Sequence, residues 1–343
     1  MTETILQPEE INPAVDLANR ALAELDRILL GRPELHRLVF AGVLSRGHIL
    51  LEGLPGVGKT ALVKALGGLL NLQFSRVQFT PDLMPSDILG AHILQENHDG
   101  RRAMEFHPGP VFTNLLLADE INRASPKTQS ALLEAMQERS VTLLGSTRQL
   151  PDPFFVLASQ NPIELEGTYP LPEAQLDRFL FKLNVTGADV ETLDRIISTR
   201  RRGEPPAPNF VMSGEELRLI FSGVDRVFLP RPVSRYVSRI VAATHADSDE
   251  AIDEVRDYIG YGASPRAAIA MAEAARAYAL LSGRPTVGFD DVKAVAMPTL
   301  NHRLVLNYKA RFDGVSSRSI IAKLIERMDE TGIKLPRDVQ IGA

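Results

Sequence analysis

Apolar residues follow two different periodicities up to about residue 200. Short, continuous apolar runs alternate with longer stretches in which apolar residues return every three or four positions. The short runs predict buried strands, and the longer stretches predict amphipathic helices. The predicted strands are residues 48–52, 75–79, 114–118, 154–159 and 179–185, and the predicted helices include residues 14–30, 34–45 and 59–70. This alternation predicts an α/β fold with a mostly parallel sheet covered on both faces.

The pattern changes beyond residue 200. Three prolines, Pro205, Pro206 and Pro208, interrupt the chain. From Ser213 onward only helical periodicity is found, at residues 215–223, 232–246, 264–283 and 288–297. We therefore expect two domains, an αβα domain over residues 1–200 and a small all-helical domain over residues 201–343.

The loop between the first predicted strand and the following helix carries the pattern GxxxxGK[ST]. Its residues are Gly53, Leu54, Pro55, Gly56, Val57, Gly58, Lys59 and Thr60, and Ala61 continues into the helix. The glycines let backbone N–H groups turn inward to cradle phosphate oxygens at the positive end of the helix. Lys59 is expected to neutralise the β- and γ-phosphates, and Thr60 to bind Mg²⁺. The strand, loop and helix context favours a nucleoside triphosphate site over a plain glycine-rich turn.

Two further strands end in polar residues. Asp119 and Glu120 follow the apolar run at 114–118, and Asn161 follows the run at 154–159. The carboxyl ends of parallel strands meet at the sheet edge where ligands bind. We expect Asp119 to hold Mg²⁺, Glu120 to activate a water, and Asn161 to hold that water or contact the γ-phosphate. The alternatives are a solvated strand end for the acids and a turn before Pro162 for the asparagine.

Two arginines lie near the ends of predicted elements. Arg178 precedes the last predicted strand, and Arg266 lies just inside the helix that Ser264 and Pro265 begin. A surface guanidinium at position 178 could stabilise phosphoryl charge in a neighbouring subunit. A cation at a helix N-terminus is unfavourable unless an anion such as a γ-phosphate offsets it. Ordinary ion pairs, for Arg178 to Glu173 or Asp177, remain the alternative.

Composition narrows the class of protein. At 343 residues and 44% hydrophobic content, the chain has enough apolar material for two cores. The absence of cysteine excludes disulfides and thiolate metal sites. No apolar run is long enough to span a bilayer, and the acidic N-terminus lacks a signal-peptide pattern, so we expect a cytoplasmic protein without membrane insertion. A net charge of −5 argues against a surface that binds nucleic acid throughout, although a local basic patch stays open.

Taken together, these motifs resemble those of the MoxR family of AAA+ ATPases. The matching segments are residues 53–60, 79–90, 109–112, 115–124, 158–162, 167–179 and 262–267. The resemblance implies that Lys59 and Thr60 belong to Walker A and that Asp119 and Glu120 belong to Walker B. It also implies that Asn161 is sensor 1, that Arg178 is the arginine finger and that Arg266 is sensor 2.

The resemblance further implies a homo-hexameric ring with ATP and Mg²⁺ bound between subunits. Residues 88–111 resemble an insert in the second helix that faces the pore, and residues 140–153 resemble a hairpin before sensor 1. The implied function is chaperone-like remodelling of a protein client, commonly with a partner that carries a von Willebrand factor A domain. A nucleic-acid motor, with Arg101, Arg102 and Arg148 as its basic residues, and a metal-chelatase motor subunit are the alternatives, and nucleic acid is the less favoured partner.

Overall fold

A computed structural model describes residues 8–96, 102–162, 167–200 and 204–330. Within these ranges the centre of the molecule is a five-stranded parallel sheet. Its strands are β1 (Ile49–Glu52), β2 (Phe74–Gln78), β5 (Leu115–Asp119), β8 (Phe155–Gln160) and β9 (Phe181–Asn184), arranged in the order β2-β5-β8-β1-β9. The central strands β5 and β8 are buried along nearly their whole length, as continuous apolar runs require.

Two antiparallel hairpins extend the sheet domain. The first joins β3 (Gly90–Glu96) to β4 (Arg102–Pro108), and the second joins β6 (Ser140–Leu143) to β7 (Ser146–Gln149). Leu144 and Gly145 both have positive φ and form the tight turn of the second hairpin, as a two-residue hairpin loop requires. The first hairpin lies within the predicted insert, and the second within the predicted hairpin segment. Arg101, one of the basic candidates, lies outside the described residues.

Helices cover both faces of the sheet. In the first part of the chain they are α1 (Pro8–Ile28), α2 (Pro33–Leu44), α3 (Lys59–Leu69), α4 (Pro85–Leu89), α5 (Pro126–Glu138), α6 (Glu173–Leu176) and α7 (Val190–Thr199). Their buried faces and the two faces of the sheet form two apolar clusters. The larger cluster continues through α1 into the helices after residue 204, so one core joins the sheet to the C-terminal helices. The division into domains at residue 200 stays a prediction.

The C-terminal part is mainly helical. Its helices are α8 (Gly214–Arg226), α9 (Arg231–Ala242), α10 (Asp253–Tyr258), α11 (Pro265–Leu281), α12 (Phe289–Leu300), α13 (Tyr308–Phe312) and α14 (Ser317–Arg327). The prediction of helices alone was wrong in one detail, because β10 (Ile259–Tyr261) pairs antiparallel with β11 (Val305–Leu306). Strands this short carry no readable periodicity, and their pairing joins positions far apart in the chain. None of the helices in the described ranges is long and apolar enough to cross a membrane.

Candidate functional site

The glycine-rich loop lies at the carboxyl end of β1 and leads directly into α3. Gly56 and Gly58 have φ values of 79° and 95°, and Gly58 occupies the N-cap position without a side-chain cap. The loop also passes so close to Val185 that a side chain at Gly53 would collide with the Val185 carbonyl. The first amides of α3 therefore face a concave glycine-lined surface, which fits the phosphates of a nucleotide.

Lys59 folds back over this loop. Its ammonium group donates to the carbonyl oxygens of Gly53 and, at 3.2 Å, of Leu54. Burial lowers the pKa of Lys59, whereas the nearby charges of Asp119 and Glu120 act in the opposite direction. A cation held at the mouth of the loop and facing two carboxylates fits a site for a phosphate with a divalent ion. Thr60 follows in the first turn of α3, and Ala61 lines a cavity that opens beside the loop.

Asp119 ends β5 at the same edge of the sheet. One of its carboxylate oxygens accepts from the Ser159 hydroxyl at 2.5 Å, and the other accepts from the Arg76 guanidinium at 2.7 Å. The side chain is largely buried. Oxygen ligands from one carboxylate and the Thr60 hydroxyl suit Mg²⁺, which keeps several of its waters and takes few protein ligands. Arg76 and Ser159 are contacts of this site that sequence reasoning missed.

Glu120 is held in an unusual backbone conformation. It has φ of 56° in the left-handed region, and its amide donates to the Ser159 hydroxyl at 2.9 Å. Its carboxylate accepts from Gln78 at 2.8 Å and from Arg123 at 3.0 Å. Non-glycine residues with such φ values concentrate at functional sites. The two acids therefore point in different directions, with Asp119 toward the buried side and Glu120 toward Gln78 on the neighbouring strand.

Asn161 directly follows β8 and is buried. The preceding residue, Gln160, accepts a hydrogen bond from the Gly53 amide at 3.3 Å, so the end of β8 adjoins the start of the loop. The Asn161 carbonyl accepts from the Asn122 side chain at 3.4 Å. This places Asn161 between the loop and the acidic pair, where the sequence predicted it.

A cavity of about 430 Å³ opens beside the glycine-rich loop. Its apolar walls come from the end of α1, the start of α2 and α7, and its lining includes Leu29, Leu35, Leu193 and Ile196. At its rim, the Arg32 guanidinium donates to the Val57 carbonyl at 2.7 Å, and burial lowers the pKa of Arg32. An apolar cleft next to a phosphate cradle fits a nucleobase. No sequence motif marked these residues, because four separate segments supply them.

Arg178 and Arg266 lie in a different place. Both line a second cavity, of about 370 Å³, which shares no lining residue with the first. The second cavity includes Gly47 and His48 just before β1 and Leu180 just before β9, whereas the first includes Leu54 and Val185 just after those strands. The four residues of each strand rise about 13 Å. The second cavity, which we call the arginine pocket, therefore lies at the amino edge of the sheet, opposite the loop.

Within the arginine pocket, Arg178 is half-buried and lies just after the short helix α6. Its guanidinium donates to the Leu133 carbonyl of α5 at 2.7 Å. The alternative prediction was an ion pair between Arg178 and a nearby acid such as Asp177, but Asp177 pairs with two other arginines. Arg303 contacts one Asp177 oxygen at 2.9 Å, and Arg266 approaches the other to 3.8 Å.

A clamp from the C-terminal helices holds the segment that carries Arg178. The buried Arg303 guanidinium donates to the carbonyls of Phe179 at 2.6 Å and Leu180 at 3.1 Å, in addition to its pairing with Asp177. His302 Nε2 lies 3.0 Å from the Phe179 carbonyl oxygen, a second contact from this part of the chain to the same backbone segment. Ser264 at the start of α11 donates to Asp177 at 2.9 Å. Arg178 thus has a backbone fixed by the C-terminal helices of its own chain.

Comparison with known proteins settles the family. Residues 48–181 match the model of the ATPase family associated with various cellular activities (AAA), and residues 253–324 match that of the AAA lid domain. The chain is 44% identical over 318 residues to Chaperone MoxR1 of Mycobacterium tuberculosis, an alignment that covers 93% of this chain and 83% of that protein. The chain belongs to the MoxR family of AAA ATPases.

Other relatives agree with this assignment. This MoxR-family chain is 42% identical to the uncharacterised protein YeaC of Bacillus subtilis over 96% of its length and 97% of that protein, and 31% identical to Protein MoxR of Methylorubrum extorquens over 92% and 94%. A crystal structure of a protein from Cytophaga hutchinsonii, provisionally described as an ATPase, superposes with a TM-score of 0.85 at 39% identity and covers 94% of this chain and 97% of that one. The predicted fold, an AAA sheet domain followed by a helical lid, is confirmed.

Proposed function

We propose that this MoxR-family protein hydrolyses ATP at the contacts between subunits of a homo-hexameric ring and uses the energy to remodel a protein client. The observation that carries the proposal is the separation of the two cavities. The phosphate loop and the acidic pair lie at the carboxyl edge of the sheet, and Arg178 lies about a strand length away at the amino edge. Arg178 therefore acts on the nucleotide of the next subunit.

A ring is the assembly that this separation favours. The contact would join the carboxyl edge of one copy to the amino edge of the next, which is a heterologous interface, and such an interface forms a ring when the rotation between copies closes. The arginine pocket then supplies the cations that the neighbouring site lacks. Arg266 belongs to the same pocket and would contact the neighbour's γ-phosphate rather than that of its own chain.

Within one site, the roles follow from position. Lys59 and the loop amides would bind the β- and γ-phosphates, and Thr60 and Asp119 would hold Mg²⁺, which supplies charge neutralisation when bound. Release of Glu120 from Gln78 and Arg123 frees its carboxylate to accept a proton from the attacking water. Asn161, beside the loop, orients that water. Arg178 of the neighbouring copy stabilises the charge that develops on the transferred phosphoryl group.

The exposed surfaces of the two hairpins favour a protein client over nucleic acid. Both hairpins expose large apolar side chains, with Leu144 81% exposed at the tip of the second hairpin and Leu94 and Met104 more than half exposed on the first. The two basic candidates that the structure describes, Arg102 and Arg148, make contacts within the hairpins. Arg102 pairs with Glu96 at 3.5 Å, and the Arg148 guanidinium stacks over the Phe106 ring at 3.9 Å. A partner with a von Willebrand factor A domain is the client or adaptor that we expect from the family resemblance.

A trapping experiment tests this function. The Glu120→Gln variant should bind ATP without hydrolysing it and so hold the loaded ring on its client. After affinity capture in ATP, mass spectrometry should find one protein in stoichiometric amount, and light scattering should find six copies of the chain. The matched control is the double variant Lys59→Ala/Glu120→Gln, which lacks the loop cation and should capture nothing. Captured nucleic acid without a protein partner would favour the motor alternative, and a monomeric ATP-loaded chain would refute the ring.

A further inference from the structure

The arginine pocket holds five arginines, and four of them have a polar partner within the chain. Arg178 bonds to a carbonyl of α5, Arg266 and Arg303 face Asp177, and Arg46 makes a bidentate pair with Asp225 at 2.6 and 2.8 Å. The fifth is Arg139. Its exposed guanidinium makes no hydrogen bond or ion pair with any residue that the structure describes.

The backbone of Arg139 is also unusual. It ends α5 as the C-cap with φ of 50° and ψ of 28°, in the left-handed region. Glycine and asparagine adopt this conformation at helix ends more easily than arginine does. Arg139 therefore combines a left-handed backbone with an unpaired charge among four other arginines, and an external anion would account for both. A phosphate oxygen is the ligand to which a guanidinium fork is best suited.

The position of Arg139 links three functional segments. Arg178 donates to α5 one turn and a half earlier, at Leu133, and the Arg139 carbonyl accepts from the Leu150 amide at 2.9 Å, which closes the second hairpin. At its other end, α5 is tied to the residues after Glu120, because Gln129 donates to the Ile121 carbonyl at 3.1 Å. A ligand bound at Arg139 therefore contacts the one helix that joins the catalytic edge to the hairpin.

We infer that Arg139 is a second arginine that binds the phosphates of the nucleotide held by the neighbouring subunit. The inference rests on the proposed function, since only an adjacent copy can bring a nucleotide to the amino edge. Its consequence is that the β6–β7 hairpin, which begins at the next residue, senses the nucleotide of the neighbour. Arg139, at the end of α5, and Arg178, which donates to the Leu133 carbonyl of α5, then bind the same triphosphate.

The rival explanation is electrostatic. A cation at the C-terminus of a helix stabilises the helix dipole without any ligand. Two substitutions separate these explanations. Arg139→Lys keeps the charge and its effect on the dipole but removes the bidentate fork, whereas Arg139→Ala removes both. Arg235→Ala, at an exposed arginine of α9 that lines neither cavity, is the matched control.

Steady-state ATPase rates and the affinity for a fluorescent ATP analogue should be measured for each variant. We expect Arg139→Ala to lower kcat about 100-fold, the size of effect found when one donor to a transition-state oxyanion is removed. The affinity for the analogue should change less than about twofold, because the neighbour's loop still binds it. Arg139→Lys should recover only part of the rate, and Arg235→Ala should match the wild type. Full ATPase activity in Arg139→Ala would overturn the inference, as would full recovery with lysine.

A mixing experiment tests action across the interface. Arg139→Ala has an intact Glu120, and Glu120→Gln has an intact Arg139, so mixed rings contain some complete sites. Equal mixing should raise the rate toward about a quarter of the wild-type value, because one contact in four pairs the two variants in the productive order. The same mixture with Arg178→Ala tests the proposed function itself. Recovery with Arg178→Ala but not with Arg139→Ala would overturn only the inference, and failure of both mixtures would overturn the proposed arrangement.

Discussion

The two edges of the sheet differ in how the chain builds them. At the carboxyl edge, each functional group belongs to a short local motif at the end of a strand, as in the phosphate loop after β1 and the acidic pair after β5. At the amino edge, five arginines come from five separate segments, two of which belong to the C-terminal part of the chain. The carboxyl edge thus carries the glycine-rich loop and two adjacent acids, whereas the amino-edge pocket carries five arginines against two acids, Asp177 and Glu273. Residues of a site that lie in one local motif can therefore be assigned from the sequence, whereas residues that come from distant segments can be assigned only from the fold.

Removing one cation from each edge tests whether one edge serves nucleotide binding and the other serves catalysis. Lys59→Ala should abolish detectable nucleotide binding, because it removes the ammonium group that faces the phosphates. Arg178→Ala should leave nucleotide affinity within about twofold while lowering kcat about 1,000-fold, at the lower end of what an arginine finger contributes. Titration with a fluorescent ATP analogue and steady-state rates separate the two effects. Unchanged affinity in Lys59→Ala, or full turnover in Arg178→Ala, would show that the two edges do not divide binding from catalysis.

The second test uses pH and acts on the amino edge alone. His48 lines the arginine pocket, and its buried ring accepts from the Val156 amide at 3.0 Å and lies 3.2 Å from the Met136 carbonyl. Burial lowers its pKa from 6.5 to about 4, with Arg139 acting in the same direction. The unfolded chain therefore takes up a proton before the folded chain does. The stability that neutral His48 confers is complete above pH 6.5 and is lost as the pH falls toward 4, a loss of about 3 kcal/mol.

Denaturant unfolding at pH 7.5 and pH 4.5 measures this effect. His48→Gln keeps an acceptor and a donor on a side chain that does not titrate, so its free energy of unfolding should fall less between the two pH values than that of the wild type. His302 also has a pKa lowered by burial and adds a loss of the same sign in both proteins. An equal loss of stability in the wild type and the variant would contradict the assignment of a neutral buried ring to His48.

The smallest expected effect comes from the clamp. Asp177→Asn keeps the size of the side chain but weakens its contacts with Arg303, Ser264 and Arg266. Arg178 should then be held less firmly, and kcat should fall about tenfold with unchanged nucleotide affinity, because a misplaced group costs turnover rather than binding. A comparison of kcat with KM, alongside thermal unfolding, separates this from a general loss of structure. Wild-type kcat in a variant that folds normally would show that the clamp does not position Arg178.

Much of the carboxyl edge could be predicted because its determinants are local. A strand, a glycine-rich turn and a helix follow one another within residues 48–70, and the polar residues after β5 and β8 share an edge because parallel strands must. The predicted strands and most of the predicted helices are present, with shifts of a few residues at their ends. The membership of the MoxR family, inferred from the order of these motifs, is confirmed.

The tertiary structure was needed to show which residues that are distant in the sequence contact each other. Arg303 contacts Asp177 across 126 positions, and Ile259 of β10 pairs with Leu306 of β11 across 47 positions, although neither contact leaves a periodic signal. Arg32 and Arg76 look like ordinary surface cations until folding places them against the loop and Asp119. The glycine-rich loop and the acidic pair at the strand ends could therefore be placed from the sequence, because backbone geometry sets them locally. The amino-edge pocket forms only when the C-terminal part of the chain packs against the sheet. Burial of one shared apolar core drives this packing, and no single motif encodes it.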